Sequence, residues 1–193
     1  DQDIISNASS TTNCVTPIAA IVDEALGFEK GFMTTIHALT ATENVVDGPG
    51  RDLRRSRASS VNIIPTSTGA ASATVKAYPE IAGRFDGLSI RVPVITVSLA
   101  DFTILTRKPT TVDDVNNVFR RAAEQPRYQG IVAVTDEHNV SSDFIGNPHS
   151  CIVDSKVTNV IDGTMVKVSG WYDNEWGYAS RCVDLLRYVG SRL

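Results

Sequence analysis

Cysteine is scarce in this chain, and its placement excludes more than its number does. Cys14, Cys151 and Cys182 are widely spaced, form no C-x-x-C pair and have no histidine at metal-ligand spacing. A disulfide-framed secreted scaffold and a structural metal site are thereby excluded, and a reducing, cytoplasmic compartment fits best. Long apolar runs are missing as well, and Asp1-Gln2-Asp3 lacks the basic-then-apolar order of a signal peptide. Neither sign of charge is in block excess: 18 basic and 22 acidic residues are dispersed, for a net charge of −4. Nothing in that balance calls for nucleic acid or an anionic membrane as partner. Internal repeats, low-complexity tracts, a G-x-S-x-G elbow and a G-x-G-x-x-G turn are all absent. There is no initiator Met, and residue 1 falls just before a hydroxyl-rich turn, so the chain is expected to be an excised domain of something longer.

What is present is organised around Ser6-Asn7-Ala8-Ser9-Ser10-Thr11-Thr12-Asn13-Cys14. This run of small polar residues stands between Ile4-Ile5 and a segment in which Cys14, Ile18, Ile21, Val22 and Leu26 recur at helical spacing. It is built as a strand-to-helix turn, with Ser9 as the cap and Ser10, Thr11 and Thr12 in the first turn. Gly27 stands where a helix C-cap belongs, and Pro17 removes one N–H from the helix. Unpaired N–H groups and the helix dipole make such a start favourable for anions.

Further along, Phe32 to Thr40 reads as a buried strand with His37 on the face opposite Ile36. Residues 43–60 form a long polar loop containing Asp47-Gly48-Pro49-Gly50 and the basic run Arg54-Arg55-Ser56-Arg57. Thr66-Ser67-Thr68-Gly69-Ala70-Ala71 is a second polar turn, opening a small-residue helix that runs toward Tyr78. Ser89 to Lys108 reads as a long strand or strand pair starting at Arg91-Val92-Pro93. Thr111 to Gln125 is an amphipathic helix capped by Thr111 with Asp114 three residues on, and Val115, Val118, Phe119 and Ala122 form its stripe. Strands are expected at 131–134, 151–154 and 165–172, and a final helix over 174–189 with Tyr178, Cys182, Leu185, Leu186 and Val189 on one face. At 42% hydrophobic, 193 residues suffice for a single core. Without strict βαβ alternation, the class is α+β, a mixed and mostly antiparallel sheet covered by helices.

The candidates for chemistry are Ser10, His37 and the basic loop. A lone strand histidine is ordinarily a hydrogen-bonded core residue, and an isolated arginine cluster is ordinarily a solvated face. Together with the helix starts at Ser9–Thr11 and Thr68–Gly69, however, these groups would make a phosphate site, with charge from arginine and orientation from N–H and O–H donors. Ser10 with His37 also suggests a serine hydrolase, although no residue to orient the histidine can be named.

The nine residues from Ser6 to Cys14 resemble the S-N-A-S-C-T-T-N-C signature of the phosphorylating glyceraldehyde-3-phosphate dehydrogenases. The likeness continues through Thr34 to Thr40, Val46 to Pro49, Asp52 to Arg57, Asn62 to Pro65, Ser67 to Ala71, Arg91 to Pro93 and Trp171 to Tyr178. It implies a cysteine nucleophile at the position of Ser10 and His37 as base, steadying the hemithioacetal and thioester oxygens. It further implies substrate phosphate on Thr40 and Arg91, and inorganic phosphate on Ser9, Thr11, Thr68, Gly69 and Arg55. Asn174 and Tyr178 would hold a nicotinamide, glyceraldehyde 3-phosphate would be the substrate, and the parent would be a homotetramer using NAD or NADP. A relative acting on erythrose 4-phosphate shares this chemistry.

Two departures follow from the resemblance. Ser10 carries a hydroxyl where the family has a thiol, and a hydroxyl has almost no alkoxide population without a strong base. The chain is therefore expected to be inactive, as an engineered knockout or as a natural pseudoenzyme or assembly module. Cys14, one turn deeper on the same face, is a poor substitute. The second departure is the family's N-terminal dinucleotide-binding domain, expected before residue 1. Without it the chain alone is expected to bind no NAD(P), with residues 1–173 as the catalytic domain and 174–193 as a helix that in the family docks on that domain.

Overall fold

The computed structural model describes residues 4–192, so Asp1-Gln2-Asp3 and Leu193 lie outside it. The first helix, α1 (Ser10–Leu26), begins where the hydroxyl run predicts. Ser9 is its cap, with Oγ accepting from the Thr12 N–H at 3.0 Å. It ends at Gly27, whose φ of 74° belongs to the left-handed region that glycine tolerates. The strand β1 (Phe28–His37) follows without a loop.

Two short pieces come next, β2 (Ile64–Thr66) and α2 (Ala70–Ala77), and then β3 (Phe85–Arg91) and β4 (Ser98–Thr106). The helix α3 (Val112–Ala123) has the Thr111 and Asp114 cap read from the sequence, with Val115, Phe119 and Ala122 buried. The chain closes with β5 (Val132–Thr135), β6 (Cys151–Asp154), β7 (Asn159–Ile161), β8 (Met165–Tyr172) and α4 (Trp176–Gly190).

The strands form one mixed sheet in the order β2-β3-β1-β4-β8-β6-β5, with β7 pairing β8. Only β1 with β3 and β5 with β6 run parallel. The helices α1, α2 and α3 cover one face, with α1 crossing β1, β4, β8 and β6. Residues alternate accordingly along β1: Met33, Thr35 and His37 are buried under the helices, while Phe32 on the other face is 46% exposed. On α4 only Gly177 is buried, and Leu186 of its expected stripe is exposed. No helix among the described residues is long and apolar enough to cross a membrane.

Several boundaries differ from expectation. The strand expected from Phe32 to Thr40 starts four residues earlier and stops at His37, because Leu39 turns away to bond the Val94 carbonyl. The Ser89–Lys108 stretch is the strand pair of the two readings, but its first strand starts earlier, at Phe85, and Arg91 ends that strand instead of standing at its start. Pro93 has no N–H for a ladder, and Val97 takes a φ of 70°, which reverses the chain between them. The strand β2 was not anticipated because it is three residues long and contains Pro65; as an edge strand it tolerates the proline. β7 is another short edge piece with exposed residues.

Where α1 crosses β8 there is no space for a side chain. A Cβ on Gly170 would lie 2.8 Å from Ile18 Cδ1, 3.0 Å from Cys151 Sγ and 3.2 Å from Cys14 Sγ. Gly170→Ala should therefore push α1 off the sheet and cost about 1–3 kcal/mol, as overpacked cores do. Urea unfolding of the two proteins measures it, and equal midpoints would show that the crossing is loose.

Candidate active site

The parallel pair β1 and β3 ends with His37 and Arg91 side by side in register, and α1 begins above them. The cavity at this junction, of ≈ 420 Å³, is lined by Ser9, Ser10, Thr11, His37, Thr40, Arg55, Thr68, Gly69, Arg91 and Asn174. Residues from six separate segments thus meet in one place. Tyr178 is the exception among the expected site residues: it lies outside the lining, and its hydroxyl donates to the Ala8 carbonyl at 3.0 Å.

The start of α1 is pinned from several sides. The Asn13 amide donates to the carbonyls of Asn7 and Ser9, both at 2.8 Å, and Ser9 Oγ pairs with Thr12 Oγ1 at 2.8 Å. Ala8, just before the cap, has a φ of 54°, a strained value for a residue with a Cβ. The Thr11 hydroxyl is 2.8 Å from the buried Tyr172 hydroxyl, which is also 2.8 Å from Thr35 Oγ1. Burial pushes the Tyr172 phenol well above its ordinary range, so it stays neutral. Cys14 is fully buried, with its thiol 3.7 Å from the Gly170 carbonyl. Burial, and then its neighbour Cys151, raise the Cys14 pKa, so this thiol is no reactive substitute at the cavity.

His37 is held neutral. Burial first, and the adjacent Arg91 guanidinium second, lower its pKa from 6.5 to about 4. Its Nδ1 is 2.7 Å from the Ala38 carbonyl and 2.8 Å from Arg91 Nη1. A single nitrogen cannot donate to the first and accept from the second at once, so the partner it keeps decides the tautomer. Neither partner is a carboxylate, so the orienting acid of a hydrolase triad is missing from this nitrogen.

The basic loop is folded, not slack. Asn44 N–H bonds the Arg55 carbonyl, Ser59 N–H bonds the Asn44 carbonyl, and Asp52 receives the N–H groups of Arg54 and Arg55. These contacts bring Arg55 to the second helix start, where Nε donates to Thr66 Oγ1 at 2.7 Å and Nη2 to the Ser67 carbonyl at 3.3 Å. Thr68 Oγ1 receives the Ala70 N–H at 3.1 Å.

Asn174 is tied to β1 through Ser98. The Ser98 hydroxyl donates to Asn174 Oδ1 at 3.0 Å and accepts from the Ala38 N–H at 3.1 Å. Beside it, Asp173 Oδ1 accepts the N–H groups of Glu175 and Trp176 at the start of α4, both at 2.9 Å. Burial works to raise this carboxyl, but donors from Gly146, Trp176, Glu175 and Thr96 outweigh it and hold the pKa below the ordinary value. Asp173, Ser98, Tyr172 and Glu43 were not singled out from the sequence, since each acts through a partner distant along the chain.

A family model described as the glyceraldehyde 3-phosphate dehydrogenase C-terminal domain matches residues 9–174. Among curated proteins, glyceraldehyde-3-phosphate dehydrogenase 2 of Streptomyces avermitilis is 52% identical over 190 residues, covering 98% of this chain and 56% of its own length. The glyceraldehyde-3-phosphate dehydrogenase of Streptomyces coelicolor is 50% identical with the same coverage. That of Mycobacterium avium is 50% identical over 192 residues, 100% of this chain and 56% of the relative. The chain thus spans little more than half the length of these relatives.

The depressed His37 pKa has a consequence for stability. Between about 4 and 6.5 the unfolded chain takes up a proton that the folded chain refuses, so stability falls as the pH drops through that window. The full loss is roughly 3 kcal/mol, from 1.36 kcal/mol per pKa unit. Urea unfolding of the parent and His37→Gln at pH 4 and pH 7 should show the variant losing less on acidification, and identical slopes would contradict the depressed value.

Proposed function

Because the chain belongs to the glyceraldehyde 3-phosphate dehydrogenase C-terminal domain family, we propose that it is the catalytic half of an enzyme that oxidises glyceraldehyde 3-phosphate to an acyl phosphate, with its nucleophile position occupied by serine. The observation that carries this reading is the meeting of Ser10, neutral His37, Arg55 and Arg91 at one cavity. In a cysteine form, the thiol at position 10 attacks the aldehyde carbon and His37 accepts the thiol proton. At a pKa of about 4, His37 is unprotonated across the neutral range but only weakly basic, so ionisation of the thiol rests mainly on the helix N-terminus. The helix N-terminus stabilises the thiolate.

Two anion positions follow from the layout. Arg91 and Thr40 hold the substrate phosphate, and Arg55 with Thr68, Gly69, Ser9 and Thr11 holds the incoming phosphate. Ser9 and Thr11 take part mainly through the helix start, since their hydroxyls already bond Thr12 and Tyr172. Asn174 suits a carboxamide, having both a donor and an acceptor on its amide; its Nδ2 makes only a 3.3 Å contact to Glu175. A nicotinamide bound there supplies the hydride acceptor. Tyr178, outside the cavity, donates to the Ala8 carbonyl and so supports the turn that leads into α1. Residues 1–173 form the catalytic unit and α4 the surface that meets the remaining half of the parent, a homotetramer in the cytoplasm. Erythrose 4-phosphate is the competing substrate.

Ser10 favours one second reading, a non-catalytic binding module that keeps the anion positions and has lost the chemistry. A cysteine codon at position 10 in the source gene would dismiss that reading, and a serine codon would favour it.

Joined to a cofactor-binding half, Ser10→Cys should reduce NAD or NADP in the presence of glyceraldehyde 3-phosphate and inorganic phosphate. The serine form should be slower by about 10⁴-fold or more, as expected for loss of a nucleophile. Absorbance of the reduced nicotinamide reports both, with erythrose 4-phosphate as the parallel substrate. An inactive cysteine form would remove the proposed activity.

A further inference from the structure

The loop that carries Arg55 also holds a carboxylate with no part in the chemistry proposed above. The Glu43 side chain is fully buried, at 0% exposure. Its Oε2 accepts from the Thr40 N–H and from the Thr40 hydroxyl, both at 3.1 Å. Its Oε1 accepts from the Thr42 hydroxyl at 2.7 Å and lies 3.6 Å from Arg91 Nε and 3.9 Å from Arg55 Nε. Arg91 Nε is itself buried without a hydrogen-bond partner.

A buried carboxylate requires countercharge, and the two cations nearest Glu43 are those of the two anion positions. It also takes the Thr40 N–H and shares the Thr40 hydroxyl with Thr42 Oγ1, 2.8 Å away, and the substrate phosphate would need both donors. A dianion arriving at either position therefore meets a guanidinium already partly neutralised and a like charge one side chain away. We propose that Glu43 is a specificity-determining counter-ion shared by both anion positions: it stands in for a ligand at Thr40 and penalises an anion in proportion to that anion's charge. Glu43 touches neither the nucleophile position nor His37; its charge is the smallest of the influences on His37, and its direct contacts are with Thr40, Thr42 and the two arginines, so the effect on binding is the one to read. The proposal rests on the two-anion reading of the cavity.

The test is an NMR-detected titration of the full chain with sulfate, a dianion, and with nitrate, a monoanion, at matched ionic strength. Glu43→Gln keeps the shape and removes the charge. Sulfate should tighten about tenfold and nitrate only about threefold, because the electrostatic penalty scales with the charge of the anion. Glu43→Asp keeps the charge and should stay within about twofold of the parent. Glu43→Ala, a second neutral variant, should shift in the same direction as Glu43→Gln and serves if the glutamine form does not fold. Equal gains for the two anions, no gain in either neutral variant, or a gain in Glu43→Asp matching that of Glu43→Gln would overturn the proposal.

Arg55→Ala and Arg91→Ala separate it from the reading beneath it. If both weaken sulfate while neutral Glu43 variants do not tighten it, the counter-ion role falls and the anion positions stand. If neither arginine variant changes sulfate binding, the anion positions fall and the counter-ion role with them.

Discussion

The buried hydroxyl of Tyr172 is the contact on which the rest of the site depends. It comes from the last residue of β8, reaches Thr11 in the first turn of α1, and reaches Thr35 two residues before His37. A phenol can donate once and accept as well, so one buried group satisfies two others. It fixes the height of the helix start above β1, and the rings of Tyr172 and His37 meet edge-on with centroids 6.0 Å apart. The close crossing at Gly170, two residues earlier on β8, sets the same distance from the packing side. A strand, a helix and a second strand are thereby locked before any ligand arrives, and the side chains at the cavity inherit their positions.

Electrostatics then sort the groups by charge state. His37 is kept neutral by burial and by a guanidinium, and the same guanidinium would be drawn to an arriving anion. A neutral imidazole beside a fixed cation leaves the anion to the cation, and the same cation makes the imidazole a weaker base. If Arg91 turns toward an anion, Nδ1 keeps the Ala38 carbonyl as its partner, and the proton on Nδ1 leaves Nε2 as the basic atom. Arg91 also carries burial on its own account, which lowers its pKa while Glu43 offsets part of that cost. Charge, proton acceptor and counter-ion are thus linked through one arginine, placed beside His37 only because β1 and β3 run parallel in this register.

Local chemistry made part of this legible. Ser9 as cap, Gly27 as terminator, the Thr111 and Asp114 cap, and the strands Cys151–Asp154 and Met165–Tyr172 each depend on residues within a few positions, and the structure has them where the pattern put them. The two hydroxyl-rich helix starts and the arginine loop were visible as separate anion-friendly features, and the sheet brings them to one cavity. What stayed hidden was set by partners far along the chain. Arg91 looked like a strand start because Pro93 and the strained Val97 disguise a reversal. The loop at 43–60 carries no periodic pattern, yet Asn44, Asp52 and Ser56 fold it through backbone hydrogen bonds that leave no trace in composition.

Position 10 gains its meaning from these surroundings. A hydroxyl at a helix N-terminus beside a neutral imidazole of low basicity cannot ionise to a useful extent, since an imidazole with a pKa of about 4 is far too weak a base for an alcohol. A thiol needs much less help, because its pKa lies within reach of the helix dipole alone. On the proposed chemistry, the low basicity of His37 would leave a hydroxyl at position 10 un-ionised while a thiol there could still draw on the helix N-terminus. What remains with serine in place is two arginines, two helix starts and one internal carboxylate around one cavity, the arrangement the anion-binding proposal rests on, held by a frame that does not depend on the reactive atom.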